Sequence, residues 1–292
     1  MRDTLIGLLL LFVGCGLASP SRIPAYVDGR EPEDEAAVEL LVAAPAELNS
    51  AVTEVADSFQ QKTGNRVHLT FADSASLYSQ IRNGTVFDAF FSTDMKDVRQ
   101  LAASGTAVSA SVTEYARDPM IMCISPMVRF PFQPGNPLRA LRDKTISHIA
   151  VADAQHSVSG KAAEQALKAG RDDDSAVRRK LLIGKDDSQV AQFVLTGDAD
   201  VALLPITAAR AYGLWSARAI PIPQNLYSPI RMGAVVITRS KHRHEALEFL
   251  KFAASPDGRA IFTRYGLYEP KATSPGKHEA TAITSPGVGG AS

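Results

Sequence analysis

VELLVAAPAELNSAVTEVADSFQQKTG, residues 38–64, decides the fold. An apolar run, Leu40 to Ala44, gives way to small residues, and Leu48, Val52, Val55, Ala56 and Phe59 then recur at helical spacing until Thr63-Gly64 stops the pattern. A short apolar run followed by a 3.6-residue period is a strand running into a helix, and Gly after the last periodic residue suits a left-handed cap. The unit repeats at once in RVHLTFADSASLYSQIRNG, residues 66–84. VFDAFFSTD, from Val86, then supplies a third strand that empties into Ser92, Thr93 and Asp94. Units of this kind aim unpaired backbone N–H groups and helix-dipole positive ends at one place beyond the strand ends, where an anion is stabilised.

The alternation continues. HLTFA, DAFFS, MIMCIS, HIAVAD, KLLIG, DVALLP and GAVVIT read as short strands covered on both faces. Helical patterns fall at residues 77–82, 95–104, 161–169, 189–195, 207–214 and 244–265. The spacing predicts an α/β chain with mostly parallel sheets. That is more strand–helix units than one sheet holds, and RDPMIMCISP (117–126) and ARAIPIPQNLYSP (217–229) read as crossings between lobes. Pro221, Pro223 and Pro229 make the second stiff and non-helical. The expected division is residues 38–117 plus 226–270 in lobe one and 118–225 in lobe two, with a hinge and an interlobe cleft where a ligand lies outside the carboxyl ends of strands from both lobes.

Residues 1–18 carry one Arg, an apolar run from Leu5 to Val13 and then small residues, the proportions of a secretory signal. Gly14-Cys15 resembles a bacterial lipoprotein signal, which would make Cys15 the acylated first residue; cleavage after Ala18 is the other reading. Residues 19–37 read as a polar tether and 271–292 as a disordered tail, too poor in large apolar side chains to offset ordering entropy. Lys plus Arg and Asp plus Glu are 31 each, which excludes a broad basic footprint for nucleic acid or an anionic membrane. With two Cys no disulfide framework is available, and Cys123 in PMIMCI reads as a buried core residue. His242 and His244 do not form a metal pair at their spacing. No nucleophile–base order, Walker-type loop or Cys–His spacing stands out, so the sequence offers no support for catalysis.

Over nearly the whole body, in order, the pieces VAAPAELNSAVTEVADSFQQKTG, FADSASLYSQIRNGTVFDAFFSTD, HIAVADAQHSVSGKAAEQAL and SPDGRAIFTRYGL resemble the type II periplasmic solute-binding proteins, and within them the molybdate-binding component of ABC transporters. The resemblance implies a two-lobed fold that holds a small oxyanion, molybdate or tungstate, by neutral hydroxyls and backbone N–H groups from both lobes. It implies no cofactor, metal ligand or catalysis, and as partners an ABC permease and its ATPase outside the cytoplasm. Carried over, it makes Ser74 a ligand-binding serine with Ser76 beside it, puts Ser159 and Ser188 on the loops of lobe two, and gives His156 a loop hydrogen bond. Two positions depart: the first loop's serine becomes Glu47, and a family tyrosine becomes Pro205.

A carboxylate a few Å from a dianion costs on the order of several kcal/mol at an effective dielectric near 20. Three readings of Glu47 stay open: an acid placed for the helix dipole, a changed ligand bearing a positive group, or a shifted alignment that makes Ala46 the binding position. Ser74, Ser76, Ser159 and Ser188 also have a plain reading as helix N-caps. Asp172, Asp173 and Asp174 with Arg178, Arg179 and Lys180 read as a solvated run or a permease contact, and Tyr212 and Trp215 as packing. A diverged receptor for another ligand, or a non-transport sensor on the same fold, is the alternative function.

Overall fold

The computed structural model describes residues 37–128, 137–170, 175–214 and 218–270. The leader with Cys15, most of the tether, the tail, Asp172 to Asp174 and Trp215 lie outside the described residues. In chain order the strands are β1 (Glu39–Pro45), β2 (Arg66–Ala72), β3 (Ala89–Ser92), β4 (Thr113–Asp118), β5 (Met120–Ile124), β6 (Ile149–Ala152), β7 (Leu181–Gly184), β8 (Val201–Pro205), β9 (Ala219–Pro221) and β10 (Ile230–Val236). The helices are α1 (Asn49–Thr63), α2 (Ser74–Arg82), α3 (Met95–Ala103), α4 (Val158–Ala169), α5 (Ser175–Arg178), α6 (Asp187–Thr196), α7 (Ile206–Ala211), α8 (Arg243–Ala253) and α9 (Pro256–Arg264).

The strands form two five-stranded sheets, β2-β1-β3-β10-β4 and β7-β6-β8-β5-β9. Each has a parallel core of three strands, β2-β1-β3 and β7-β6-β8, as strand–helix repeats demand. Each is completed by antiparallel strands, β10 and β4 in one and β5 and β9 in the other. The chain passes between the sheets twice, at Asp118-Pro119-Met120 and along residues 222–229, where the Ile222 N–H donates to the Met120 carbonyl at 3.0 Å. The strands that follow the two crossings, β5 and β10, each run antiparallel to both neighbours, and they give the sheets their mixed character.

Packing follows the sequence periods. Ala51, Val52, Val55, Ala56 and Phe59 are the buried stripe of α1, which ends at Gly64 with φ 78°, its N–H donating to the Gln60 carbonyl. Phe59, Phe91, Phe249 and Phe262 belong to one apolar cluster under the first sheet, with Phe59 and Phe249 centroids 5.2 Å apart. Met120, Met122, Leu138, Ile149 and Leu203 anchor a second cluster in the other lobe. Cys123 is buried in β5, and burial pushes its thiol up to about 12.

Two elements differ from the sequence reading. The pattern over 244–265 is two helices: Ser255 caps α9 by accepting from the Gly258 N–H at 3.3 Å, and Pro256, lacking an N–H, starts the new helix. β4 is absent from the apolar runs because TEYARD carries charge on a strand. Glu114 there accepts from Arg117 Nε at 2.7 Å and from Arg231 Nε of β10 at 2.6 Å, so the charges are paired within the sheet.

Candidate ligand-binding cleft

β1, β2, β3, β6, β7 and β8 all empty toward one cavity of about 890 Å³, lined by residues from both sheets' loops. Ala46, Glu47, Ser74, Ser159 and Ser188 line it, with Pro205 and His156. Ser76 is not among the lining residues; its hydroxyl accepts from Gln80 Nε2 at 3.3 Å on the exposed face of α2.

The helix starts are capped by other groups than those serines. Asp73 accepts from the Ser76 N–H at 2.9 Å, Asp186 from the Gln189 N–H at 2.9 Å and Ser157 from the Gly160 N–H at 3.3 Å. Ser74 is therefore the first residue of α2, and Ser159 and Ser188 the second of α4 and α6, all released from capping. Gly160 lets α4 come this close: a Cβ there would lie 2.4 Å from the Ala152 carbonyl oxygen at the end of β6. The exposed Ser188 hydroxyl donates to Asp186 Oδ1 at 2.6 Å. His156 makes the expected loop bond, its Nδ1 2.7 Å from Asp153 Oδ2.

Ser74 Oγ is 3.0 Å from Ser92 Oγ, and Ser92 Oγ donates to Asp97 Oδ2 at 2.8 Å. In the other lobe Ser157 Oγ is 2.5 Å from Ser159 Oγ, and Ser159 Oγ donates to Asp187 Oδ1 at 2.6 Å. Burial pushes Asp97 up and raises Asp187 to about 6. Neither acid was singled out by the sequence, where each sits in the first turn of a helix and reads as a dipole partner. The available signal was an acid following a cap residue that is itself Asp: DMKD at 94–97 and DD at 186–187.

Glu47 sits in a 3-10 turn, Ala46–Leu48, that leads into α1. It faces the cavity rather than solvent, and its Oε2 is buried with no hydrogen-bond partner among the described residues. Burial pushes its carboxyl up, and Asp73 adds to the rise against the lowering from a backbone hydrogen bond. The plain dipole reading of Glu47 thus accounts for its place in the chain but not for its burial. Among the described lining residues, Glu47, Asp73, Asp94, Asp97, Asp118, Asp186 and Asp187 face only Lys185 and Arg210 as permanent cations. Lys185 Nζ lies 3.6 Å from Asp186 Oδ2. No group of three or more His, Cys, Asp or Glu among the described residues could hold a metal ion.

A family model described as bacterial extracellular solute-binding protein matches residues 40–268. The chain belongs to this family. Its resemblance to the molybdate-binding branch, read from the motifs, is matched by a relative of that name. The molybdate-binding protein ModA of Azotobacter vinelandii is 28% identical over 235 residues, covering 79% of this chain and 90% of the relative. A Bacillus subtilis protein named as a putative ABC transporter substrate-binding lipoprotein, YvgL, is 25% identical over 243 residues, 80% of this chain and 88% of its own. Among solved structures, the substrate binding domain of a putative molybdenum ABC transporter from Clostridium difficile superposes with TM-score 0.65 at 23% identity, covering 80% of this chain and all of that one. The solute-binding protein is accordingly two-lobed, with the cavity between sheets as its ligand site candidate. No helix among the described residues is long and apolar enough to cross a membrane.

Proposed function

We propose that this solute-binding protein is the extracytoplasmic receptor of an ABC importer, and that it captures a small oxyanion, molybdate or tungstate, between its lobes and hands it to a permease and ATPase. The observation that carries the reading is that Ser74 and Ser159, on opposite lobes and both free of capping duty, line one cavity. A ligand touching both lobes has greater affinity for the closed form, which is what closure about two crossings requires. No bond is made or broken in this mechanism. The A. vinelandii relative, named as molybdate-binding, supports the ligand class. The B. subtilis relative, named as a lipoprotein, supports Cys15 as the anchor.

Calorimetric titration of the purified protein with molybdate, tungstate and sulfate tests the proposal. Ser74→Ala and Ser159→Ala should each weaken molybdate binding by about 1–3 kcal/mol, the range for a lost hydrogen bond to a charged group. Unchanged affinity in both variants sinks the assignment. The acidic lining is the one observation that favours a ligand with a positive group, so small amines form the second arm of the panel. Amine binding with no oxyanion binding would replace this reading.

A further inference from the structure

An oxyanion accepts hydrogen bonds and gives none, so its site must present donors. The two serines best placed for it have already spent theirs. A serine hydroxyl has one proton and two lone pairs. Ser92 gives its proton to Asp97 and accepts from the Asp94 N–H at 3.1 Å, which leaves one lone pair for the contact with Ser74. Ser74 is therefore the donor in that contact, and its oxygen offers the cavity lone pairs. The other lobe repeats the arrangement. Ser159 gives its proton to Asp187, so at 2.5 Å it must accept from Ser157, and it turns its one remaining lone pair outward. With both acids ionised, the hydroxyls from both lobes repel the class of ligand proposed above.

A proton on each acid turns both cavity hydroxyls round without moving a heavy atom, by reversing the whole chain from Asp97 to Ser74 and, in the other lobe, the bond between Asp187 and Ser159. A protonated Asp97 donates to Ser92, whose lone pairs are then filled by Asp97 and the Asp94 N–H. Ser92 must now donate to Ser74, and the Ser74 proton is free for the cavity. A protonated Asp187 donates to Ser159, which keeps the bond from Ser157 and releases its own proton. We propose that Asp97 and Asp187 set the direction of two hydroxyl relays into the cleft, so that the protein takes up protons from solvent as it takes up an oxyanion. The inference rests on the oxyanion reading. Burial, which raises both carboxyls and brings Asp187 to about 6, supports the protonated form.

The surrounding carboxyls act in the same direction, and Lys96 alone opposes them at Asp97. Asp97 is faced by Asp94 and Lys96 at its own helix start and by Asp73 from α2. Asp187 is faced by Asp186 beside it and by Glu47 from the opposite lobe. Lys185, Arg210 and His156 also line the cavity. Ser92 and Ser157 thereby become positioning residues, which act on the ligand through Ser74 and Ser159.

The test is calorimetry of the purified protein with molybdate, at about pH 6 and about pH 8, each in two buffers of different ionisation heat, which gives the protons bound per ligand. Wild type should bind with net proton uptake, and its affinity should fall by about tenfold per pH unit for each proton coupled over that window. Asp187→Asn, with its amide donating to Ser159, should hold that relay in the donor direction. It should bind molybdate at about pH 8 at least tenfold more tightly than wild type, with uptake reduced. Asp97→Asn should do the same for the other lobe. Glu47→Gln, which removes the carboxyl that faces Asp187 from the opposite lobe, should leave the Asp187-dependent part of the uptake in place.

Binding by wild type with no proton uptake and equal affinity at both pH values overturns the coupling alone. Weaker binding in both Asn variants at both pH values does the same, provided their circular dichroism spectra match wild type. Failure of folded wild type to bind molybdate, tungstate or sulfate at either pH overturns the oxyanion reading, and the coupling with it.

Discussion

Glu47 is the residue at which this cleft parts from what its motifs imply. Its carboxyl is raised by burial first and then, net of a backbone bond, by Asp73, so it binds protons more readily folded than unfolded. For an acid shifted in this direction the unfolded chain loses its proton first, and stability falls as pH rises from about 4 toward the folded value. Glu47→Gln should therefore raise the melting temperature at about pH 8 and leave it nearly unchanged at about pH 4. The same variant should tighten molybdate binding at about pH 8 by about 1–3 kcal/mol, since it removes a facing charge. Thermal melts and titrations at the two pH values check both, and weaker molybdate binding in the variant would show that the carboxyl contributes to the ligand rather than opposing it. The sequence revealed that an acid stood where a hydroxyl was expected. It could not reveal that Oε2 is buried without a partner, because that depends on Asp73 and on α7, which packs on the 46–48 turn from across the cleft.

At the scale of the element, the cleft is built by helix starts held against strand ends. Gly160 fixes one of them, since a side chain there meets the Ala152 carbonyl. Gly160→Ala should push α4 off β6, costing about 1–3 kcal/mol of stability. It should also draw Ser157 and Ser159 away from Asp187, so that molybdate affinity falls more than the loss of folded protein explains. Denaturant melts alongside titration separate the two effects; a variant as stable and as tight-binding as wild type would show that α4 can shift freely. The strands and the helices of the parallel cores were legible because each is an apolar run or a 3.6-residue stripe. The break at Ser255-Pro256 was signalled but outweighed by continuous periodicity on both sides. β4 was not legible, because Glu114 and Arg117 satisfy each other only once Arg231, more than a hundred residues later, lies beside them. The directions of the hydroxyl relays were hidden for the same reason: Ser159 and Asp187 meet at a distance of 28 residues.

At the scale of the whole molecule, Asp118 ties the lobes where the chain first crosses. It ends β4, is fully buried, and accepts from the Thr207 hydroxyl of α7; burial raises it to about 7. A buried acid raised this far is bound to its proton in the folded state through the window from about pH 4 to about pH 7, while the unfolded chain has released it. Stability is thus fully present below about pH 4 and declines through that window, by on the order of a few kcal/mol. Asp118→Asn keeps an acceptor for Thr207 and removes the titration. The difference in melting temperature, variant minus wild type, should grow from about pH 5 to about pH 8. A difference that stays constant across that range would mean that Asp118 does not carry the pH dependence.

The position of β10 has a consequence for the order in which the protein can be made. It lies between β3 and β4, yet it follows both by more than a hundred residues, whereas every strand of the second sheet falls within residues 120–221. A chain emerging from its amino terminus can complete the later lobe while the earlier one still lacks an interior strand. Until Val236 arrives, β3 and β4 have open edges facing each other across a gap, the kind of edge that invites pairing with another chain. The contacts that close the first lobe are among the longest-range in the molecule, and such contacts form slowly. Maturation of this receptor therefore ends where its sequence began.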